Sequence, residues 1–202
     1  MSYQAISFKS VLPSAIGLML IGISIAGFYQ PWSWTGQLGL LVVPIGVAFG
    51  ALLYLAMFSL SAIPMLRIDS AQSLLKMLHQ LFKNLTWTQI IVVSLLAGIG
   101  EEILIRGALQ SFLVSLSSPL LGIIAASLVF GLLHFLTKMY VLLTFVMGLM
   151  FAVVFHLTNS MIVVMLAHTV YDILAFTMIV KFPEKLGLAP PADNIAIHDQ
   201  LH

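Results

Sequence analysis

The sequence predicts an all-α protein, a polytopic bundle of about six transmembrane helices, and three observations predict it. Hydrophobic residues make up 61% of the 202 and charged residues only 7%, against about 25% charged in a soluble domain. The mean hydropathy is +1.12. The apolar residues gather into long unbroken runs. Hydrocarbon accepts backbone only when its N–H and C=O groups are satisfied internally, as in helical bundles or closed barrels, and runs of roughly 20 residues favour helices.

Six runs qualify: Val11 to Tyr29, Leu38 to Leu60, Thr88 to Leu113, Pro119 to Leu136, Val141 to Leu157 and Ser160 to Val180. The first is long for a signal peptide, lacks a small-residue cleavage site and precedes further spans, so it is expected to be retained. Outside the runs the basic residues are Lys9, Arg67, Lys76, Lys83, Lys138, Lys181 and Lys185. Six crossings put all of them on one side, which the positive-inside rule makes the cytoplasm. Both termini are expected there. Trp32, Trp34 and Trp87 stand at run ends, as interfacial anchors would.

Between the second and third runs, Leu66, Leu74, Leu75, Met77, Leu78, Leu81 and Phe82 alternate with Arg67, Asp69, Gln72, Lys76, His79, Gln80 and Lys83. This is an amphipathic helix, either lying at the cytoplasmic interface or packed on the bundle as a connector. Neither an internal repeat nor a second domain is visible, so residues 1–202 read as a single integral-membrane domain. From Pro183 the sequence turns polar, contains Pro190 and Pro191 and has no helical period, so residues 181–202 read as a mobile tail.

A formal charge of +1 offers no basic footprint for nucleic acid. The absence of Cys removes disulfides, thiolate nucleophiles and Cys-ligated metals. Histidines and carboxylates remain to carry polar chemistry. Four charged residues lie inside the runs: Glu101, Glu102 and Arg106 in the third and Asp172 in the sixth. Unpaired, four such groups cost on the order of 10 kcal/mol, so they must pair, change protonation state, face the bundle interior or line a wet cavity.

Glu102 and Arg106 are four residues apart on one helix face, with the acid N-terminal to its cation. Glu101 sits about 100° round the helix, so the same bridge does not readily satisfy it. A buried ion-pair cluster that only fixes helix packing is the plainer reading of these three. His134 follows Phe130 by one turn, and His168 precedes Asp172 by one turn. The Asp172 carboxyl could therefore hydrogen-bond an imidazole nitrogen of His168 and fix its tautomer. Each histidine alone would serve as an ordinary core residue; together with an unpaired carboxylate they suggest a site. His156, near the end of the fifth run beside Asn159, is a weaker candidate, and His79, His198 and His202 lie outside the runs.

Glu101-Glu102-Ile103-Leu104-Ile105-Arg106 is an EExxxR motif, Phe130 to His134 is FxxxH, and His168 to Asp172 is HxxxD. In this order, inside apolar runs and with Gly107 after the Arg, they resemble the CAAX protease and bacteriocin-processing family of intramembrane peptidases, relatives of the Ras-converting CAAX endopeptidase. The resemblance covers approximately residues 88–180, the last four runs. It implies that Glu101 is the general base activating a water with His134, that Glu102 and Arg106 hold the cluster in position, and that His168 and Asp172 face the developing oxyanion. Family members often carry Asn where Asp172 stands, and an ionised Asp cannot donate a hydrogen bond to an oxyanion. By the resemblance Asp172 is therefore protonated, orients His168 or pairs with the Arg.

Physical chemistry supports hydrolysis independently: a carboxylate beside an imidazole can take a proton from water, and Arg or imidazolium donors can stabilise an oxyanion. Rival chemistries lack their motifs, since the chain has no H-E-x-x-H and no G-x-S-x-G. Tyr171-Asp172 resembles the YD pair of intramembrane aspartyl proteases, but their GxGD partner is missing. No cofactor is expected, although two His and a carboxylate are also a zinc set, which leaves zinc open. The axial positions of His134 and His168 differ by roughly 10 Å at the helical rise, which tilt, long side chains or a broken helix near Gly98 to Gly107 would have to absorb.

The expected function is an intramembrane endopeptidase cutting a membrane-associated peptide or protein, in a bacterial inner membrane. Its expected partners are that substrate and the lipid bilayer, and no nucleic acid. One alternative is a non-catalytic immunity or scaffold protein on the same fold. The other is a proton or ion pathway, which the scarcity of polar residues in the first two runs disfavours. The oligomeric state and the relevance of prenylated substrates cannot be read from the sequence.

Overall fold

A computed structural model describes residues 5, 7–28, 32–62 and 69–188. Its helices are α1 (Phe8–Phe28), α2 (Val42–Ala62), α3 (Asp69–Phe82), α4 (Trp87–Glu102), α5 (Ser111–Leu116), α6 (Pro119–Leu133), α7 (Lys138–Thr158) and α8 (Met161–Lys181). A π-helical stretch, Ile103–Gln110, joins α4 to α5. Five segments have the length and apolarity to cross a membrane: Phe8–Ile25, Gly39–Ser59, Trp87–Leu116, Lys138–Thr158 and Met161–Lys181. Leu20, Leu52, Leu120, Leu132 and Leu142 are exposed on the bundle surface, where hydrocarbon rather than water suits them. The protein is an all-α, integral membrane helical bundle.

The fourth expected run is shorter as a helix than as a sequence. It ends at Leu133 rather than Leu136, and its 15 residues span only about 22 Å. His134 causes the stop: its backbone N–H bonds Gly131 O at 3.1 Å, while its ring Nδ1 donates to Phe130 O at 2.9 Å. The side chain has taken the carbonyl that a continuing α-helix would give to the His134 N–H.

Local signals set the other ends. Thr86 and Gln89 form a reciprocal capping box at the start of α4. Ser118, Thr137 and Ser160 each accept a backbone N–H at the starts of α6, α7 and α8. Asn159 closes α7 in the left-handed region, φ 47°.

α8 is the central element, packed on α2, α4 and α7. Close approach to it depends on small residues. Gly46 and Gly50 form a GxxxG pair on α2, and a Cβ on Gly50 would lie 2.4 Å from Ala167 O. On α4, a Cβ at Gly98 would lie 2.2 Å from Thr169 Oγ1. Such stripes let helix backbones meet in lipid, where packing rather than water drives association.

Two expectations are corrected, for Trp32 and for the start of the tail, and of the two readings of the amphipathic helix one is selected. Trp34 and Trp87 are exposed, but Trp32 is buried and packs with Ile103, Phe155, Met161, Val164 and Met165, so it is a core residue rather than an interfacial anchor. The chain around it is pinned to the start of α8, because Met161 N–H bonds Ser33 O and Ile162 N–H bonds Trp34 O. The amphipathic α3 is a packed connector: Leu74, Met77 and Leu78 are buried against Met139, Tyr140, Leu143 and Ile179, and His79 Nδ1 donates to Ile179 O at 2.8 Å. The start of the tail is also packed, since Pro183–Leu186 forms a 3-10 turn and Leu188 is 3% exposed. Tyr29, Leu66, Arg67 and the tail after Leu188, with His198 and His202, lie outside the described residues.

Candidate active site

α4, the π stretch, α6 and α8 bring Glu101, Glu102, Arg106, His134, His168 and Asp172 into one cluster. Its organisation follows from the helical offset between the two glutamates. Glu102 is enclosed and lies 3.2 Å from Arg106 Nη1, with both side chains 0% exposed. The same Glu102 Oε1 accepts from His168 Nδ1 at 2.8 Å. Glu101, turned round the helix, faces His134 instead, with Oε2 3.6 Å from Nε2 and the two side chains 20% and 24% exposed.

Arg106 is held from several directions. Nη2 donates to Gly148 O of α7 at 3.2 Å, and the guanidinium lies over Phe130 at 4.5 Å and Phe151 at 5.6 Å. Arg stacked and paired in this way is not replaceable by Lys. Gln110, one turn further on, donates to Ala152 O at 3.0 Å. The π winding, often found at functional sites, is where Ser111 Oγ donates to Arg106 O at 3.0 Å.

The axial offset between the histidines is bridged rather than removed. The Phe130 ring lies 4.6 Å from the His134 ring and 6.0 Å from the His168 ring, and adjacent glutamates reach one imidazole each. The helix near Gly98 to Gly107 is not broken; it winds more widely from Ile103. The expected His168–Asp172 hydrogen bond is corrected. Asp172 Oδ2 lies 3.6 Å from His168 Nε2, beyond hydrogen-bond range, and Glu102 makes the short bond because α4 packs on α8 through Gly98. His156 is exposed at the end of α7, away from the cluster.

Sequence reading missed Phe151, which stacks on His168 at 5.1 Å and 18°, and Gln110, whose signal was its place one turn after Arg106 in an apolar run. It also missed Tyr140, whose ring meets His134 edge-on at 5.9 Å. An apolar cavity of about 410 Å³ lies beside the cluster, between α2, α3, α7 and α8. Tyr140, Met147 and Tyr171 are among its lining residues.

Among the described residues no group of three or more His, Asp or Glu side chains is placed to hold a metal ion. No step below runs through a metal.

A search of curated proteins returned no match, and neither did one of solved structures. A scan of family models did: residues 83–174 match "Type II CAAX prenyl endopeptidase Rce1-like". That segment runs from the end of α3 to the middle of α8 and contains all six clustered residues. Through residues 83–174, a little under half of its length, the chain is similar to the type II CAAX prenyl endopeptidases of the Rce1-like family.

Proposed function

We propose that the protein is an intramembrane endopeptidase that hydrolyses a membrane-associated peptide or protein with a water activated by Glu101 and His134. The observation that carries this reading is the division of the two glutamates. Glu102 Oε1 lies against Arg106 and His168 with its side chain 0% exposed, whereas the Glu101 side chain is 20% exposed and faces a partly open imidazole.

In a neutral His134 whose Nδ1–H donates to Phe130 O, Nε2 is an acceptor. Glu101 Oε2 is also an acceptor. Two acceptors converging at 3.6 Å orient a water through both of its O–H donors, leaving its lone pairs for a carbonyl carbon. As the C–O bond forms, Glu101 takes the water proton and the carbonyl becomes an oxyanion. Collapse of that intermediate breaks the C–N bond and returns the proton to the leaving amine. Glu102 and Arg106 position Glu101 and His168, and His168 with Asp172 lies toward the oxyanion side. The cavity walled by Tyr140, Met147 and Tyr171 receives apolar residues beside the scissile bond, and both termini face the cytoplasm.

The test is cleavage of candidate membrane peptides by purified protein beside Glu101→Gln, which keeps size and hydrogen bonding but removes basicity. Wild type is expected to cleave, and the variant to remain folded and inactive. Full activity of folded Glu101→Gln would sink the mechanism. If the protein acts only by binding a partner, Glu101→Gln is nearly silent and wild type cleaves nothing.

A further inference from the structure

An oxyanion needs a donor, and few donors in the cluster are free to reach one. Arg106 is enclosed by Glu102, Gly148 O, Phe130 and Phe151 and is 0% exposed. His168 gives its Nδ1–H to Glu102 and is stacked under Phe151, which leaves its Nε2 edge, 3.6 Å from Asp172 Oδ2, as its one remaining polar atom. His134 gives its Nδ1–H to Phe130 O. An ionised Asp172 has no hydrogen to give.

The phenol of Tyr140 is different. Its residue sits in the first turn of α7, where Thr137 caps the helix by accepting the Tyr140 N–H at 3.0 Å. Its ring is fixed edge-on against His134 at 5.9 Å, and its side chain also lines the apolar cavity. It therefore stands where a substrate entering from the cavity meets the Glu101–His134 pair. Among the described residues no hydrogen bond engages its hydroxyl. Tyr171 is the other phenol on the cavity wall.

We infer that Tyr140 is a further catalytic residue whose O–H donates to the oxyanion formed when the Glu101–His134 water adds to the substrate carbonyl. This rests on the peptidase reading above. In the step, the water oxygen bonds the carbonyl carbon, Glu101 receives the water proton, and the carbonyl π electrons move onto the oxygen that Tyr140 hydrogen-bonds. No proton leaves Tyr140. A phenol O–H aimed at developing charge in a water-poor site gains strength only as the oxyanion forms, so its effect falls on kcat rather than on substrate affinity.

The experiment compares wild type, Tyr140→Phe, Tyr171→Phe and Glu101→Gln on one peptide that wild type cleaves, reading kcat, KM and melting temperature. Tyr140→Phe keeps the ring against His134 and in the cavity wall. It is expected to lower kcat by about 10²–10³, with KM and melting temperature unchanged, and Tyr171→Phe is expected to lose less. Tyr140→Phe within threefold of wild-type kcat, or a changed KM at unchanged kcat, overturns the assignment while an inactive Glu101→Gln leaves the peptidase mechanism standing. Activity retained in Glu101→Gln overturns both.

Discussion

Removing the Arg106 guanidinium tests whether Glu102 and Arg106 hold the cluster together. In Arg106→Met the new side chain still fills space between Phe130 and Phe151, which lie 4.5 and 5.6 Å from the guanidinium, so apolar packing is largely kept. What is lost is the charge facing Glu102 at 3.2 Å, in a pair with no exposed surface on either side. Breaking a buried pair from one end costs about 3–5 kcal/mol, because the remaining charge is uncompensated. His168, at 2.8 Å from the same oxygen, softens that cost and favours its lower half. At about 2–4 °C per kcal/mol for a chain of this size, Arg106→Met should melt about 6–16 °C below wild type in detergent. Glu101→Gln, whose one ionic neighbour is 3.6 Å away and partly exposed, should shift melting far less. The decisive variant is Glu102→Gln with Arg106→Met, since Gln still accepts from His168 and no buried charge is stranded. It should melt above Arg106→Met alone. Arg106→Met melting with wild type, or a double variant as unstable as the two single losses added, refutes the pairing argument.

Gly98→Ala introduces a Cβ 2.2 Å from Thr169 Oγ1 and 2.9 Å from Thr169 N; overpacking of this kind costs about 1–3 kcal/mol, and activity should fall with melting temperature as Glu102 is moved from His168. Unchanged melting and activity would show that α4 and α8 have slack there. Reporter fusions should place both ends of the chain in the cytoplasm, with the loop carrying Lys76 and Lys83 on the same side; ends on opposite sides would mean that α6, only 15 residues long, does not complete a crossing. Chelator treatment should leave cleavage unchanged, and loss of activity restored by added zinc would overturn the metal-free mechanism.

Much of this was legible in the sequence because the signals were local or periodic. Glu102–Arg106 followed from four-residue spacing on one helix, and Glu101's separate direction from its place one residue earlier in the same turn. The long apolar runs marked the spans. The contacts that went unread are between helices far apart in the chain. Nothing local told that Glu102 would take His168, 66 residues away, in preference to Asp172 one turn along, because that choice depends on how closely α4 approaches α8 at Gly98. Trp32 looked like an anchor since a Trp at a span end is usually one, yet its backbone neighbours Ser33 and Trp34 are tied to α8, which draws the indole inward. The early end of α6 had a sequence signal in principle, as a histidine can bond the carbonyl four residues back, but the same residue inside a continuing helix reads identically. Gly46 and Gly50 were a readable GxxxG stripe.

The adjacency of Glu101 and Glu102 follows from conflicting demands on a carboxylate in hydrocarbon. A carboxylate that neutralises a buried guanidinium has its charge committed to that partner, and its tendency to take a proton from water is weakened by the partner's field. A carboxylate with no such partner keeps its basicity but is expensive to bury. A single glutamate would have to compromise between anchoring and catalysis. Two consecutive ones, about 100° apart on the helix, need not. Glu102 points into the bundle, where Arg106 and His168 meet it and Arg106 also reaches the α7 carbonyl at Gly148. Glu101 points to the rim, where His134 and partial exposure let water reach it. The wider π turn that begins at Ile103, directly after Glu102, carries Arg106 within it. In the proposed mechanism anchoring and chemistry then fall to different residues at the cost of one residue of helix.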